Sequence, residues 1–168
     1  KGVEYLLKAL EIVKEKEHGV RLLIVGDGHL RAPLHRLCER LQLEEHVVFV
    51  GFTNNVVPYY HQAKVFVLPS LSEGMPLSLL EAMSCGLVVV ATAVGGSREI
   101  VGYNLGDEER IESDYSIGEN GVLVKPQDVE GLARALLTLL VDNDLAERLG
   151  RNARRYVEEK FSQEKVVT

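Results

Sequence analysis

The sequence predicts an α/β domain built on a doubly wound parallel sheet with helices on both faces, and three observations point there. Short apolar runs such as Val47-Val48-Phe49-Val50 and Val65-Phe66-Val67-Leu68 alternate with segments whose apolar residues recur at helical spacing. The connections between them are short, which suits helical crossovers between parallel strands. Finally, 168 residues with 46% hydrophobic content suit one compact domain that can bury a substantial core.

Taken in order, Val3, Leu6, Leu7, Leu10 and Val13 give a first helix that starts almost at residue 1. Arg21 to Val25 reads as a buried strand, Gly26-Asp27-Gly28 as a tight turn, and Leu30, Leu34, Leu37, Cys38 and Leu41 as the inner face of a second helix. A strand over Val47 to Val50 follows, then Gly51-Phe52-Thr53 and a brief helix between Asn54 and Gln62. The strand Val65 to Leu68 leads into a helix starting near Met75, with Leu77, Leu80 and Met83 on its inner face. Leu87 to Ala91 is the next strand, after which Ser97 is expected to cap a short helix through Ile100. Residues 103–120 break the rhythm: Asp107, Glu108, Glu109, Glu112 and Asp114 surround Arg110, which reads as a solvated surface excursion, with an acidic docking surface as the sharper alternative. Gly121 to Val124 is the last strand, Asp128 caps a helix to about Val141, and a final helix ends near Phe161.

The segment SEGMPLSLLEAMSCG is where chemistry is expected. It follows a strand and opens a helix, the position at which parallel α/β sheets bind ligands. Pro76 fits the first turn because its missing N–H has no intrahelical partner there, and Gly74 removes bulk beside free amides. Such a helix end favours an anion, usually phosphate. Glu73 and Glu81 flank it, and two carboxylates repel a bare phosphate, so their simplest use is to accept hydrogen bonds from hydroxyl groups. A ligand carrying both phosphates and sugar hydroxyls satisfies both demands. The plain alternatives are that Glu73 caps its helix and that Glu81 faces solvent or pairs with a base.

Other signals are weaker. Gly26-Asp27-Gly28 lacks the third glycine of a dinucleotide fingerprint, because position 31 is Arg, and reads as a turn facing the ligand crevice. Gly95-Gly96 suits close backbone approach, and Glu99 sits where a helix dipole favours an acid. The five histidines show no metal-ligand spacing and no partner in a nucleophile motif. Cys38 and Cys85 read as reduced core thiols, implying a reducing compartment. A net charge of −6 argues against a nucleic-acid footprint. No stretch is apolar enough to span a bilayer, and the first ten residues read as an amphipathic helix rather than a signal peptide.

The block PSLSEGMPLSLLEAMSCG resembles the signature of the retaining glycosyltransferases of family 4, in which two glutamates are separated by seven residues. The resemblance extends to Lys1-Gly2, LLIVGDG, VVFVGF, VVVATAVGGSREIV, GVLVKPQDVEGLARAL and Phe161-Ser162, and leaves out the insertion at 103–117. It implies a Rossmann-like half of the two-domain GT-B fold: residues 1–168 as a single C-terminal domain for a nucleoside diphosphate sugar, with the acceptor-binding N-terminal domain outside this chain. By that resemblance Glu73 holds donor-sugar hydroxyls, Glu81 binds the ribose, and the backbone of Gly74, Met75, Pro76 and Leu77 faces sugar and diphosphate. Lys1 neutralises the departing diphosphate, Gly51-Phe52-Thr53 flanks the base, and Gly26 borders the crevice. The implied reaction is hexosyl transfer with retention to a saccharide or lipid-linked acceptor, with no bound metal or other cofactor and the isolated domain inactive. A noncatalytic nucleotide-sugar binding module and a sugar-nucleotide epimerase of the same architecture are the alternatives. The expected setting is cytoplasmic, with the membrane face as an option open only through regions outside this chain. The family commonly has Phe-Gly where this chain has Met75-Pro76, which removes one amide from the helix start.

Overall fold

The computed structural model describes residues 1–102 and 114–161. The order is α1 (Val3–Lys14), β1 (Leu22–Val25), α2 (Arg31–Arg40), β2 (Val47–Gly51), α3 (Val57–Gln62), β3 (Val65–Leu68), α4 (Leu77–Ser84), β4 (Val88–Thr92), α5 (Ser97–Val101), β5 (Tyr115–Ile117), β6 (Val122–Val124), α6 (Val129–Val141) and α7 (Asn143–Phe161). The fold is α/β with parallel strands and helices on both sides, as the alternation predicts.

The strands form two sheets. One is the parallel pair β1-β2; the other has the order β3-β4-β6-β5, with β5 antiparallel at its edge. No described strand lies between β1 and β3. The central strand β4 is buried along its whole length, and its alternation divides the core. Val88 and Val90 face Leu6, Leu132 and Leu136 of α1 and α6, while Val89 and Ala91 face Leu79, Met83 and Ala153 of α4 and α7. Each fully buried aliphatic side chain is worth about 1.5–3 kcal/mol, so these two layers carry most of the stabilisation. A third cluster, Leu7, Leu10, Cys38, Leu43 and Val47, seats α1 and α2 on the β1-β2 pair. Thus α1 packs on both sheets.

Asp128 caps α6 as expected, accepting from the Gly131 amide at 2.8 Å. Ser97 does not cap α5. It lies inside the helix, fully buried, and its Oγ has no partner among the described residues. The entrance to α5 is instead met by the loop before α4, because the Gly96 amide donates to Gly74 O at 3.2 Å. The motif helix also starts later than predicted, at Leu77. Pro76 has φ −80° and ψ 84°, and the Leu77 amide donates to Met75 O at 3.0 Å, which is an inverse γ-turn rather than a first helical turn. Residues 115–117, read as part of a surface excursion, form the edge strand β5. The acidic residues Asp107, Glu108, Glu109 and Glu112 lie outside the described residues, as does Ser162; Asp114 pairs with Arg134 at 2.8 Å.

Candidate functional site

Every parallel strand that precedes a predicted site residue ends at the same type of place, the loop leaving its carboxyl end. Two groups result. The first lies after β3, around the start of α4. Gly2, at φ 70°, leads α1 away from the end of β3, and a Cβ there would stand 2.0 Å from Pro69 O. Only glycine permits that approach, which brings Lys1 to Glu73. The Lys1 ammonium donates to Glu73 Oε1, and so does Ser70 Oγ, at 2.5 Å. Ser70 is fully buried and is itself fixed, since Thr92 Oγ1 donates to its carbonyl at 2.5 Å. The Glu73 side chain is only 10% exposed. Burial disfavours its charge, yet the hydrogen bonds from Lys1 and Ser70 outweigh it and hold the carboxyl below its ordinary value. It is therefore an anion with one oxygen engaged from two sides, and its Oε2 retains its lone pairs.

The Gly95-Gly96 turn presses on this loop from β4. A Cβ on Gly95 would fall 1.7 Å from Glu73 O, and one on Gly96 2.6 Å from Gly74 O. Both glycines are thus required by close backbone approach, the first also by its φ of 46°. Of the amides expected at the helix start, Pro76 has none and that of Leu77 is spent on Met75 O, which leaves those of Gly74 and Met75. Met75 and Leu77 expose their side chains.

Glu81 sits in the second turn of α4, one helical turn beyond Leu77, and is exposed. It is not simply solvated: Tyr60 of α3 donates its hydroxyl to Glu81 Oε2 at 3.1 Å. The second group of predicted residues lies after β1 and β2. The Gly26 amide donates to Gly51 O at 2.8 Å, and both glycines take positive φ, 118° and 83°. Phe52, 77% exposed, projects from this turn, and Thr53 Oγ1 is held by Asn55. Arg31 reaches the same corner, donating to Phe49 O at 3.4 Å and pairing with Asp27. The structure therefore brings Lys1, Glu73 and Gly74 together with Gly95-Gly96, and Gly26 together with Gly51.

Sequence reasoning missed Ser70, Thr92 and Tyr60. Ser70, a small hydroxyl residue three before Glu73, carried a signal; Thr92 and Tyr60 are distant in the chain and carried none. Three histidines have local roles, with His18 and His46 bonded to backbone carbonyls and His35 stacked on Phe49. Cys38 is buried and Cys85 half-buried, both unpaired. Among the described residues no group of three His, Cys, Asp or Glu is placed to hold a metal, and no helix is long and apolar enough to cross a membrane.

Residues 1–156 match the family model described as Glycosyl transferases group 1. An uncharacterized glycosyltransferase of Methanocaldococcus jannaschii is 33% identical over 169 residues, covering 99% of this chain and 40% of the relative. The N-acetyl-alpha-D-glucosaminyl L-malate synthase of Bacillus anthracis is 32% identical over 169 residues, covering 100% of this chain and 40% of the relative. Among solved structures, the sucrose-phosphate synthase of Thermosynechococcus elongatus superposes with a TM-score of 0.83 at 32% identity, over 99% of this chain and 39% of that one. Anabaena HepE in complex with UDP and glucose gives 0.83 at 25% identity, over 99% and 44%. The chain spans about two-fifths of the length of these relatives. A match over nearly its whole described length, on a parallel α/β frame with its acids at a strand-to-helix loop, means that this chain belongs to the Glycosyl transferases group 1 family.

Proposed function

We propose that this chain is the C-terminal, donor-binding domain of a retaining glycosyltransferase of family 4, whose full-length form moves a hexosyl group from a nucleoside diphosphate sugar to a saccharide or lipid-linked acceptor. The observation that carries this reading is the buried seat of Glu73. A carboxylate 10% exposed, kept ionised by Lys1 and Ser70, suits an acceptor of sugar hydroxyl bonds better than a solvated surface acid. Lys1 stands beside it, where a cation stabilises charge developing on a departing diphosphate. The Gly74 and Met75 amides supply further donors, Glu81 takes the ribose, and the Gly26 and Gly51-Phe52-Thr53 corner borders the base. HepE, solved with UDP and glucose, makes uridine diphosphate the first nucleotide to try.

The test has two stages. UDP, GDP and ADP are screened against this chain by thermal shift, since a ligand bound only by the native state raises apparent stability; at least one is expected to raise the midpoint. In the full-length protein Glu73→Ala is expected to abolish sugar transfer while nucleotide binding persists. Absence of a shift with all three nucleotides, or full transfer activity in Glu73→Ala, overturns the reading.

A further inference from the structure

The contact between α3 and α4 gives Glu81 a partner that no motif announces. Tyr60 is half-buried, with its ring set edge-on against Phe66 of β3 at a centroid separation of 5.7 Å and an interplanar angle of 72°. That packing aims the phenol at the outer face of α4. Its oxygen lies 3.1 Å from Glu81 Oε2 and 3.3 Å from Ser78 O. One hydroxyl proton serves one acceptor at a time, and the charged carboxylate is the stronger of the two. Burial, then the nearby Glu81 charge and the bond to it, pushes the phenol far above its ordinary value, so it remains a donor throughout the neutral range.

An exposed glutamate on a helix otherwise samples several rotamers, and a ligand must freeze them on binding. With Oε2 tethered, the carboxylate is fixed in advance and Oε1 keeps its lone pairs for incoming hydroxyls. From this geometry we infer that Tyr60 is a positioning residue: it orients Glu81 so that the carboxylate meets the vicinal hydroxyls of a nucleotide ribose. The inference rests on the assignment of Glu81 to the ribose. It makes Tyr60 a determinant of selectivity for ribose over deoxygenated sugars, although Tyr60 itself touches no ligand. A merely structural Tyr60 would instead affect all nucleotides alike.

Calorimetry on this chain separates these cases. Whichever of UDP, GDP and ADP binds most tightly is titrated alongside its 2′,3′-dideoxy analogue into the unaltered chain, Tyr60→Phe and Glu81→Ala. Phenylalanine keeps the ring on Phe66 and removes only the hydroxyl. The unaltered chain is expected to prefer the ribonucleotide by about 10-fold or more, the scale of one charge-assisted hydrogen bond. Tyr60→Phe should lower that preference to about 2- to 3-fold, with affinity for the dideoxy analogue unchanged, as a positioning loss smaller than the bond itself requires. A preference retained in Tyr60→Phe, or an equal loss for both nucleotides, overturns the role of Tyr60 while leaving Glu81 in place. A preference retained in Glu81→Ala removes the ribose assignment and this inference with it, as does failure of all three nucleotides to bind.

Discussion

In the four-stranded sheet every residue of β4 and β6 is buried and helices cover both faces, whereas in the β1-β2 pair most strand residues are only partly covered and Val48 is 45% exposed. The predicted site residues fall on both sides of this contrast. Glu73 and its loop are braced by buried hydroxyls and two glycine contacts from the well-packed half, while Gly26 and the Gly51-Phe52-Thr53 turn rest on the thinner one. Local opening follows covered apolar area, so the two borders of the site should differ in stiffness. The acids proposed to hold a sugar donor, Glu73 first among them, would belong on the stiffer border, where small displacements cost most.

Core truncation breaks the comparison most directly. Leu123→Ala, at a fully buried position of β6, should cost about 3 kcal/mol, and Leu34→Ala, on the half-buried face of α2, about 1 kcal/mol. Urea denaturation measures both; equal costs would mean that the halves are equally packed.

The glycines sharpen it at the site. Gly95→Ala forces a methyl into Glu73 O at positive φ and should cost about 2 kcal/mol or more, with loss of the Glu73 seat. Gly26→Ala has open space around its Cβ, so only backbone strain applies, about 1 kcal/mol. If thermal melts place Gly26→Ala below Gly95→Ala in stability, the supposed openness of the β1-β2 corner is wrong.

Helix starts differ too. Asp128→Ala removes the cap of α6 and is expected to lower stability by about 1 kcal/mol. Nothing caps α2 through a side chain, and Leu30 is exposed, so Leu30→Ala should stay within about 0.5 kcal/mol of the parent in the same assay.

The smallest effect concerns pH. A carboxyl whose folded value is depressed contributes stability above its unfolded value and loses it as pH falls through the folded one. Ser70→Ala withdraws one of the bonds that depress Glu73, so the variant should lose about 1 kcal/mol or less at neutral pH, the scale of one hydrogen bond. The gap between parent and variant should narrow as pH falls below the ordinary carboxylate range and Glu73 protonates in both. Chemical denaturation across that range checks it, and a gap that widens in acid would show that Ser70 does not act through the Glu73 charge.

Much of this architecture could be read from the chain because its signals are local. The apolar runs of β2, β3 and β4 and the periodic faces of α1, α2 and α7 lie where spacing puts them, and Asp128 caps because a short acid before an apolar helix has an amide within reach. The failures share one cause, that the deciding partner is distant. Ser97 has the right type for a cap, yet the helix begins one residue too early for it: the Ile100 amide donates to Gly96 O at 3.1 Å, with Gly96 itself held by Gly74 O from another loop, so Ser97 falls inside the first turn. Pro76 fits a first helical turn by its φ, but its ψ swings to an inverse γ-turn that propensity alone does not encode. Glu73 and Glu81 were legible as acids beside a helix start; that Ser70, Lys1 and Tyr60 had claimed particular carboxylate oxygens, and Thr92 the Ser70 carbonyl, was not, since three of these four lie 21 or more residues from the residue they bond.

The division of the strands into two sheets has a consequence for how this chain behaves in a test tube. Among the described residues, the flank of β1 turned away from β2 and the flank of β3 turned away from β4 end without a backbone neighbour. Such flanks accept any extended segment that offers matching amides and carbonyls, and their apolar side chains, Leu22 to Val25 and Val65 to Leu68, carry no charge to repel one. Preparations of this chain should therefore grow turbid as concentration rises, and a lysine placed at Leu23 should delay the onset.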